Sequence, residues 1–194
     1  MSSHRRSSII ALLATTVLAL SACTAAPSPA PTPSQLSTPA TPTLSATGYG
    51  ALQLGMTKAE ATATGLTTGI SGTDGACGGA ADGRLAGAPA TEPTDENPYV
   101  QGTLFFSSNT GKLVVISAYG PVATPEGIKI GSTVAELKAA YPTWSGEPDD
   151  AGNPSDSGRG YVELPGGKAS YRIVVISGAV VELSLDSAAQ DCYE

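Results

Sequence analysis

One short motif occurs twice in this chain, and it constrains the fold more than any other feature. Residues 52–60 read Leu-Gln-Leu-Gly-Met-Thr-Lys-Ala-Glu, and residues 128–136 read Ile-Lys-Ile-Gly-Ser-Thr-Val-Ala-Glu. In both copies the threonine and the glutamate have the spacing of a helix capping box, and a glycine allows the tight turn before the cap. The repetition predicts two copies of one supersecondary unit, each opened by a short helix.

Strand-like segments follow each predicted helix. The first helix stops near Gly65, and the second has Val134, Leu137 and Ala140 on one face and must end by Pro142. Alternation and turn residues then predict strands at 99–106, 112–119, 160–164, 169–176 and 179–186. We therefore predict an α+β fold in which two tandem repeats of a short helix plus antiparallel strands form one sheet with helices on one face.

The motif at 52–60, its second copy and the strands after each resemble the repeat of β-lactamase inhibitory protein. They also resemble the related small outer-membrane assembly lipoproteins of the SmpA/OmlA type. The resemblance covers residues 48–194 and implies protein binding by the open face of the sheet, without enzymatic activity. The inhibitor family has a disulfide within each repeat, a pattern that this chain lacks. Inhibition of a β-lactamase therefore does not carry over residue by residue.

The amino terminus has the pattern of a bacterial lipoprotein signal. Arg5 and Arg6 precede an apolar run from 9 to 20, and the run closes on Leu20-Ser21-Ala22-Cys23, a lipobox. The run is too short to span a bilayer. The pattern predicts a signal peptide at 1–22, lipidation of Cys23 and a location on the extracytoplasmic face of the cell membrane. A plain secretory signal is the alternative, and the sequence leaves the Sec and twin-arginine export routes open.

Composition divides the rest of the chain. Residues 23–47 hold the lipidated cysteine and a Pro/Ser/Thr-rich stretch, which predicts a disordered linker. The remaining residues predict repeat 1 at 48–121 and repeat 2 at 122–194. Apart from Cys23, the chain has only Cys77 and Cys192. Because cysteines outside the cytoplasm usually pair, we predict a disulfide between these two.

Charge and histidine content exclude several function classes. The chain has 17 acidic against 10 basic residues, a net charge of −7, which disfavours nucleic acid as a partner. Its one histidine, His4, leaves with the signal, so no histidine-dependent catalysis or metal site is expected. We predict no enzyme activity, no cofactor and no metal. The acidic residues cluster in two loops predicted to be solvated: Asp82, Glu92, Asp95 and Glu96, and Glu147, Asp149, Asp150 and Asp156.

Strand alternation predicts which side chains face the core. Val181, Leu183 and Leu185 should meet the helices, whereas Val180, Glu182 and Ser184 should face outward. The same rule predicts these core residues: Leu104, Phe106, Val114, Ile116, Val162, Leu164, Ile173 and Val175. It predicts this open face as a candidate protein-binding surface: Gln101, Thr103, Phe105, Val115, Ser117, Tyr119, Tyr161, Glu163, Arg172 and Val174.

These features predict a lipid-anchored module that binds an unidentified protein partner with the open face of its sheet and contacts the membrane through its lipid. One alternative is a lipoprotein that binds a small molecule or cell-wall fragment through the loop from Asp149 to Asp156, and another is a carboxylate-based glycan hydrolase. Trp144 follows the second helix, where it serves either as a lid on the core or as a binding anchor.

Overall fold

The computed structural model describes residues 42–72, 82–89 and 101–192. The chain divides into two units, 1–38 and 39–194, and every described residue lies in the second unit. The predicted signal peptide, Cys23, most of the predicted linker and Cys77 lie outside the described residues.

The described part consists of two antiparallel sheets and two helices, which confirms an α+β, sheet-rich fold. A three-stranded sheet contains β1 (Leu44–Ser45), β2 (Gly48–Tyr49) and β3 (Leu52–Gln53). The seven-stranded sheet has the order β4-β5-β6-β7-β10-β9-β8. Its strands are β4 (Thr67–Thr68), β5 (Gly83–Leu85), β6 (Thr103–Phe106), β7 (Leu113–Ser117), β8 (Gly158–Glu163), β9 (Ala169–Ile176) and β10 (Ala179–Ser187).

Both predicted capping boxes are confirmed. Helix α1 spans Lys58–Ala63, and the Thr57 amide donates to Glu60 Oε2 at 2.7 Å while the Glu60 amide donates to Thr57 Oγ1 at 3.3 Å. Helix α2 spans Val134–Ala140 and has the same pair of bonds at 2.7 and 3.2 Å between Thr133 and Glu136. The threonine and glutamate therefore satisfy amides that the first helical turn leaves without intrahelical partners.

Two equivalent pairs of backbone hydrogen bonds attach the two capped helices to the large sheet. In both cases the glycine of the motif donates to a strand residue, and that strand residue donates back to the residue after the glycine. The four bonds are Gly55 N to Leu113 O (2.8 Å), Leu113 N to Met56 O (2.7 Å), Gly131 N to Val180 O (2.8 Å) and Val180 N to Ser132 O (2.8 Å). Leu113 and Val180 thus have equivalent positions in β7 and β10.

The large sheet is symmetric about its central strand pair. Strands β7 and β10 are neighbours, and β6 with β5 on one side match β9 with β8 on the other. At the centre Ser117 lies directly opposite Ser184. The extra strand β4, which has two residues, adds an edge on one side only.

Each central strand also contains a bulge at the equivalent place. In β7, Leu113 pairs with Phe106 and Val115 pairs with Phe105, so Val114 is the extra residue. In β10, Val180 pairs with Val175 and Glu182 pairs with Val174, so Val181 is the extra residue. A bulge shifts the inward and outward alternation by one residue.

The bulges overturn three of the predicted orientations. Val180, predicted to face outward, is buried in the core, whereas Val181, predicted to be in the core, is half-buried outside it. Val114, also predicted to be in the core, belongs to a separate small cluster. Seven of the other core predictions are buried in the main cluster: Leu104, Phe106, Ile116, Val162, Ile173, Val175 and Leu183. Leu185 is buried there as well, and Leu164 packs partly buried against it.

The main core is one buried cluster that contains residues of both helices, of the small sheet and of the large sheet. Ala61 of α1 and Leu137 of α2 belong to the same buried cluster as the sheet residues. Leu44 is buried there too, and its carbonyl accepts a hydrogen bond from Tyr171 Oη at 2.6 Å. Leu44 and Ser45 therefore form a paired strand, although the predicted linker extends to residue 47. Leu54 of the first motif packs against this core, whereas Ile130 of the second is half-buried outside it.

Candidate binding face

The face of the large sheet opposite the main core, here called the second face, carries a row of polar side chains. Thr103, Ser117, Ser184 and Arg172 lie on successive strands, with Ser184 opposite both Ser117 and Arg172. Thr103 Oγ1 donates to Ser117 Oγ at 2.9 Å. The first three of these residues are buried. Polar side chains that are buried and bonded in this way fix the spacing of the central strands.

Arg172 connects this row to two buried carboxylates of β10. Its guanidinium contacts Glu182 Oε1, and its Nε lies 3.6 Å from Asp186 Oδ2. Ser184 Oγ donates to Asp186 Oδ1 at 2.6 Å. Burial raises the pKa of Glu182 and the charge of Asp186 raises it further, although Arg172 acts in the opposite direction. The second face therefore contains a partly desolvated ionic cluster in its second half.

The carboxyl-terminal segment covers part of the first half. Val115 is fully buried in a small cluster with Val114 and Cys192, and Phe105 packs against it. Asp191 Oδ2 accepts a hydrogen bond from Ser107 Oγ at 2.8 Å, which holds the segment in place. Cys192 is disulfide-bonded, and its partner lies outside the described residues. The prediction of an open face is wrong here, because Val115, Thr103 and Ser117 are buried, and it is also wrong for Val174 of β9, which is 2% exposed.

The exposed part of the second face lies on β8 and β9. Tyr161 is 44% exposed and Ile176 is 42% exposed, and these are the large hydrophobic side chains exposed within the described ranges. Both point to the second face by strand alternation. Glu163 is exposed on the same face of β8, and Arg172 lies opposite Tyr161 on β9. We call Tyr161, Glu163, Arg172 and Ile176 the exposed patch.

Two other predicted residues lie apart from this patch. Gln101 is half-buried, and its Oε1 accepts a hydrogen bond from the amide of Gly120 at 3.2 Å. Tyr119 packs half-buried against the main core, so its predicted place on the open face is wrong, and its hydroxyl donates to Ala86 O at 3.1 Å. Both residues use their polar groups to hold loops at the far end of β6 and β7. Alternation along β9 could have added Ile176, which the sequence-based prediction missed.

In the second acidic loop, the carboxylate of Asp149 accepts hydrogen bonds from residues of the same loop. Asp149 Oδ1 accepts hydrogen bonds from the amides of Ala151 and Asn153 at 3.0 and 2.8 Å. The Asn153 side chain donates to it as well, and bonds from Asn153 lower the pKa of Asp149. In the part of the chain that the structure describes, no group of histidine, cysteine or acidic residues could hold a metal ion. These hydrogen bonds stabilise the turn that the loop forms.

A shallow open cavity of about 620 Å³ lies at another place, beside α2. Its polar lining includes Glu126, Lys129 and Glu136, and no residue from Asp149 to Asp156 contributes to it. Glu136 is already the capping residue of α2, and Glu126 Oε2 accepts a hydrogen bond from Tyr141 Oη. That bond and the burial of the phenol, which is the larger cause, raise the pKa of Tyr141.

Trp144 belongs to the core. It is 2% exposed and lies in the main buried cluster, so the structure favours a core lid over a binding anchor. The β8 strand passes close beneath it at Gly160, where the Cβ of any larger residue would come within 2.0 Å of Ser145 O. A glycine is required at this position because the two backbones approach so closely.

No protein-family model, curated protein or solved structure matches this chain. Within the described residues, none of the helices has the length and apolar character needed to cross a membrane.

Proposed function

We propose that this protein is a lipid-anchored, extracytoplasmic module that binds another protein through the exposed patch of its second face. The observation that carries the proposal is the position of Tyr161 and Ile176, which share one face while the other large apolar side chains described are buried or half-buried. Protein interfaces concentrate their affinity in a few such anchors surrounded by polar groups. Glu163 supplies an exposed negative charge near Tyr161, and Arg172, which is half-buried and paired with Glu182, lies opposite Tyr161.

The proposal includes a duplicated architecture, with two tandem repeats that share one sheet and place both helices on its core face. Three observations support it: the symmetric strand order, the matching backbone bonds at the two glycines, and the bulges at Val114 and Val181. Equivalent bulges are informative because they are specific backbone features rather than general consequences of strand pairing.

The second face is suited to binding because buried hydrogen bonds between its side chains fix the positions of its strands. Ser184 and Asp186 are buried, and their hydrogen bond joins the row of Thr103, Ser117 and Arg172 to the ionic cluster. A surface fixed in this way loses little conformational entropy when a partner binds. The polar network thus has a structural role, and Tyr161 and Ile176 provide the contact.

Substitution of Ile176 tests the partner-binding proposal. A photo-crosslinking residue at Ser170, on the same face of β9, should capture one protein in cells that produce the full chain. Ile176→Ser should abolish that capture, because it removes an exposed anchor without disturbing the core. Lys129→Ser, on an exposed loop beside α2, is the matched control and should leave capture unchanged. Equal capture by both variants would contradict the proposal.

The anchor has a separate test. Mass spectrometry of the mature protein should find Cys23 at the amino terminus with lipid on its sulfur and its amino group. Cys23→Ala should leave the precursor uncleaved by lipoprotein processing. A mature chain that begins elsewhere, without lipid, would favour the plain secretory signal and would leave the binding face unaffected.

A further inference from the structure

Strand β8 forms one edge of the large sheet, and among the described residues no other strand pairs with its outer side. The segment from Trp144 to Glu147 packs against it near Gly158 and Gly160. The strand runs from Gly158 to Glu163 without proline or bulge, and all its residues pair in continuous register with β9. The opposite edge strand, β4, has only two residues. Exposed edges of this length are templates for pairing with another strand, and proteins usually shorten, bend or cover them.

Every second residue of β8 directs its backbone groups away from β9. The amide of Leu164 donates to Ala169 O at 3.1 Å, which makes these two a hydrogen-bonded pair. Because hydrogen-bonded and non-hydrogen-bonded pairs alternate along an antiparallel ladder, the backbone groups that face β9 are those of the even-numbered residues. The amides and carbonyls of Arg159, Tyr161 and Glu163 therefore point outward along the edge.

The side chains of this edge are complementary to themselves. If two copies pair antiparallel with Tyr161 opposite Tyr161, then Arg159 of each copy lies opposite Glu163 of the other. The same pairing uses the outward backbone groups of these three residues. Glu163 is exposed. Arg159 is half-buried, its charge also acts on Glu182, and its Nε has no hydrogen-bond partner among the described residues. Opposite charges placed directly across strands stabilise an antiparallel pair.

We propose that two copies of this chain associate through their β8 strands around a two-fold axis at Tyr161. The dimer extends the seven-stranded sheet across both copies and brings the two exposed patches onto one continuous face. Six-residue strands bury less than the roughly 1,200 Å² typical of stable complexes, so the association is reversible and concentration-dependent. The inference depends on the edge geometry and not on the proposed protein partner or lipid.

Engineered cysteines test the axis in the full chain in its native membrane. In a hydrogen-bonded antiparallel pair the two Cα atoms lie about 5.5 Å apart, which suits a disulfide. Tyr161→Cys should therefore give a covalent dimer on mild oxidation. Glu163→Cys is the matched control: it should give no dimer alone but should crosslink to Arg159→Cys when the two variants are produced together. Absence of the Tyr161→Cys dimer, or a dimer of Glu163→Cys of equal yield, would overturn the proposal.

Charge exchange provides a second measurement that does not need new cysteines. Sedimentation of the purified full chain should show a monomer–dimer equilibrium. Glu163→Arg should raise the dissociation constant about tenfold, because two cross-strand ion pairs become repulsive. Arg159→Glu combined with Glu163→Arg should restore it. Circular dichroism establishes that each variant is folded. The dimer is contradicted if the folded wild-type chain stays monomeric at every concentration. It is also contradicted if the double exchange fails to restore association.

Discussion

At the scale of single residues, the buried ion pair between Lys58 and Asp82 departs most from the sequence-based prediction. Asp82 was predicted to lie in a solvated acidic loop, yet it is buried, with Lys58 Nζ at 3.2 Å from its Oδ1. Its Oδ2 accepts a hydrogen bond from the amide of Phe106 at 2.8 Å. Lys58 also donates to Ser71 O at 2.8 Å. The pair ties α1 to the start of β5 and to β6, and the bond to Ser71 ties α1 to the residues that follow β4.

This pair should contribute strongly to stability. Lys58→Met removes the ammonium group that pairs with the buried Asp82 carboxyl group, and removal of one member of a buried pair costs about 3–5 kcal/mol. Lys138→Met removes the ammonium of an exposed pair with Asp156 and should cost less than about 1 kcal/mol. Urea unfolding of the two variants measures both values. Equal urea midpoints for the two variants would show that solvent screens the Lys58–Asp82 pair as strongly as the exposed Lys138–Asp156 pair.

At the scale of elements, local signals predicted both helices and located the strands β6 to β10, but they missed the short strands β1 to β5 and both bulges. Thr57 and Glu60 are close in sequence, so their bonds could be predicted from the motif alone, as could the helix end at Pro142. The bulges at Val114 and Val181 depend on how distant strands pair, and no local pattern encodes that pairing. For the same reason the sequence did not reveal that the segment at Cys192 covers Val115.

The two capping glutamates should make the folded protein less stable at acidic pH. The amide and the hydroxyl of Thr57 bond to the Glu60 carboxylate and lower its pKa, and Thr133 lowers that of Glu136 in the same way. A carboxylate whose folded pKa lies below its unfolded value stabilises the fold at neutral pH and loses this contribution as pH falls through the folded value. Stability should therefore decline below the ordinary glutamate pKa of 4.5.

Substitution at the caps isolates this contribution. Glu60→Gln with Glu136→Gln should reduce the decline in unfolding free energy between neutral pH and pH 3, because neither cap then titrates. Thr57→Ala or Thr133→Ala should cost about 1 kcal/mol at neutral pH. Asp150→Asn, at an exposed loop residue outside both caps and outside β8, serves as the control. If the double glutamine variant shows the same acid-induced loss as this control, other carboxylates dominate the acid response.

At the scale of the whole molecule, symmetry explains which parts of the candidate site could be predicted. The repeated motif predicted two related halves, and the symmetric strand order supports that prediction. The halves differ on the second face, where a carboxyl-terminal segment packs over Val115 in one half and an ionic cluster at Arg172 occupies the other. This asymmetry is a product of tertiary packing, so Tyr161 could be named from alternation but the burial of Thr103 could not.

The disulfide and the lipid proposal constrain each other across the whole chain. Cys192 is disulfide-bonded, and only Cys23 and Cys77 remain as partners. A sulfur that carries lipid cannot also form a disulfide, so lipidation of Cys23 requires the predicted pairing with Cys77. Non-reducing peptide mapping of the mature protein should yield one linked peptide pair, with Cys77 and Cys192. Cys77→Ser should then lower the unfolding free energy by up to about 4–5 kcal/mol, since the bond closes a long loop. A peptide that links Cys192 to Cys23 would contradict the disulfide and the lipid anchor in one measurement.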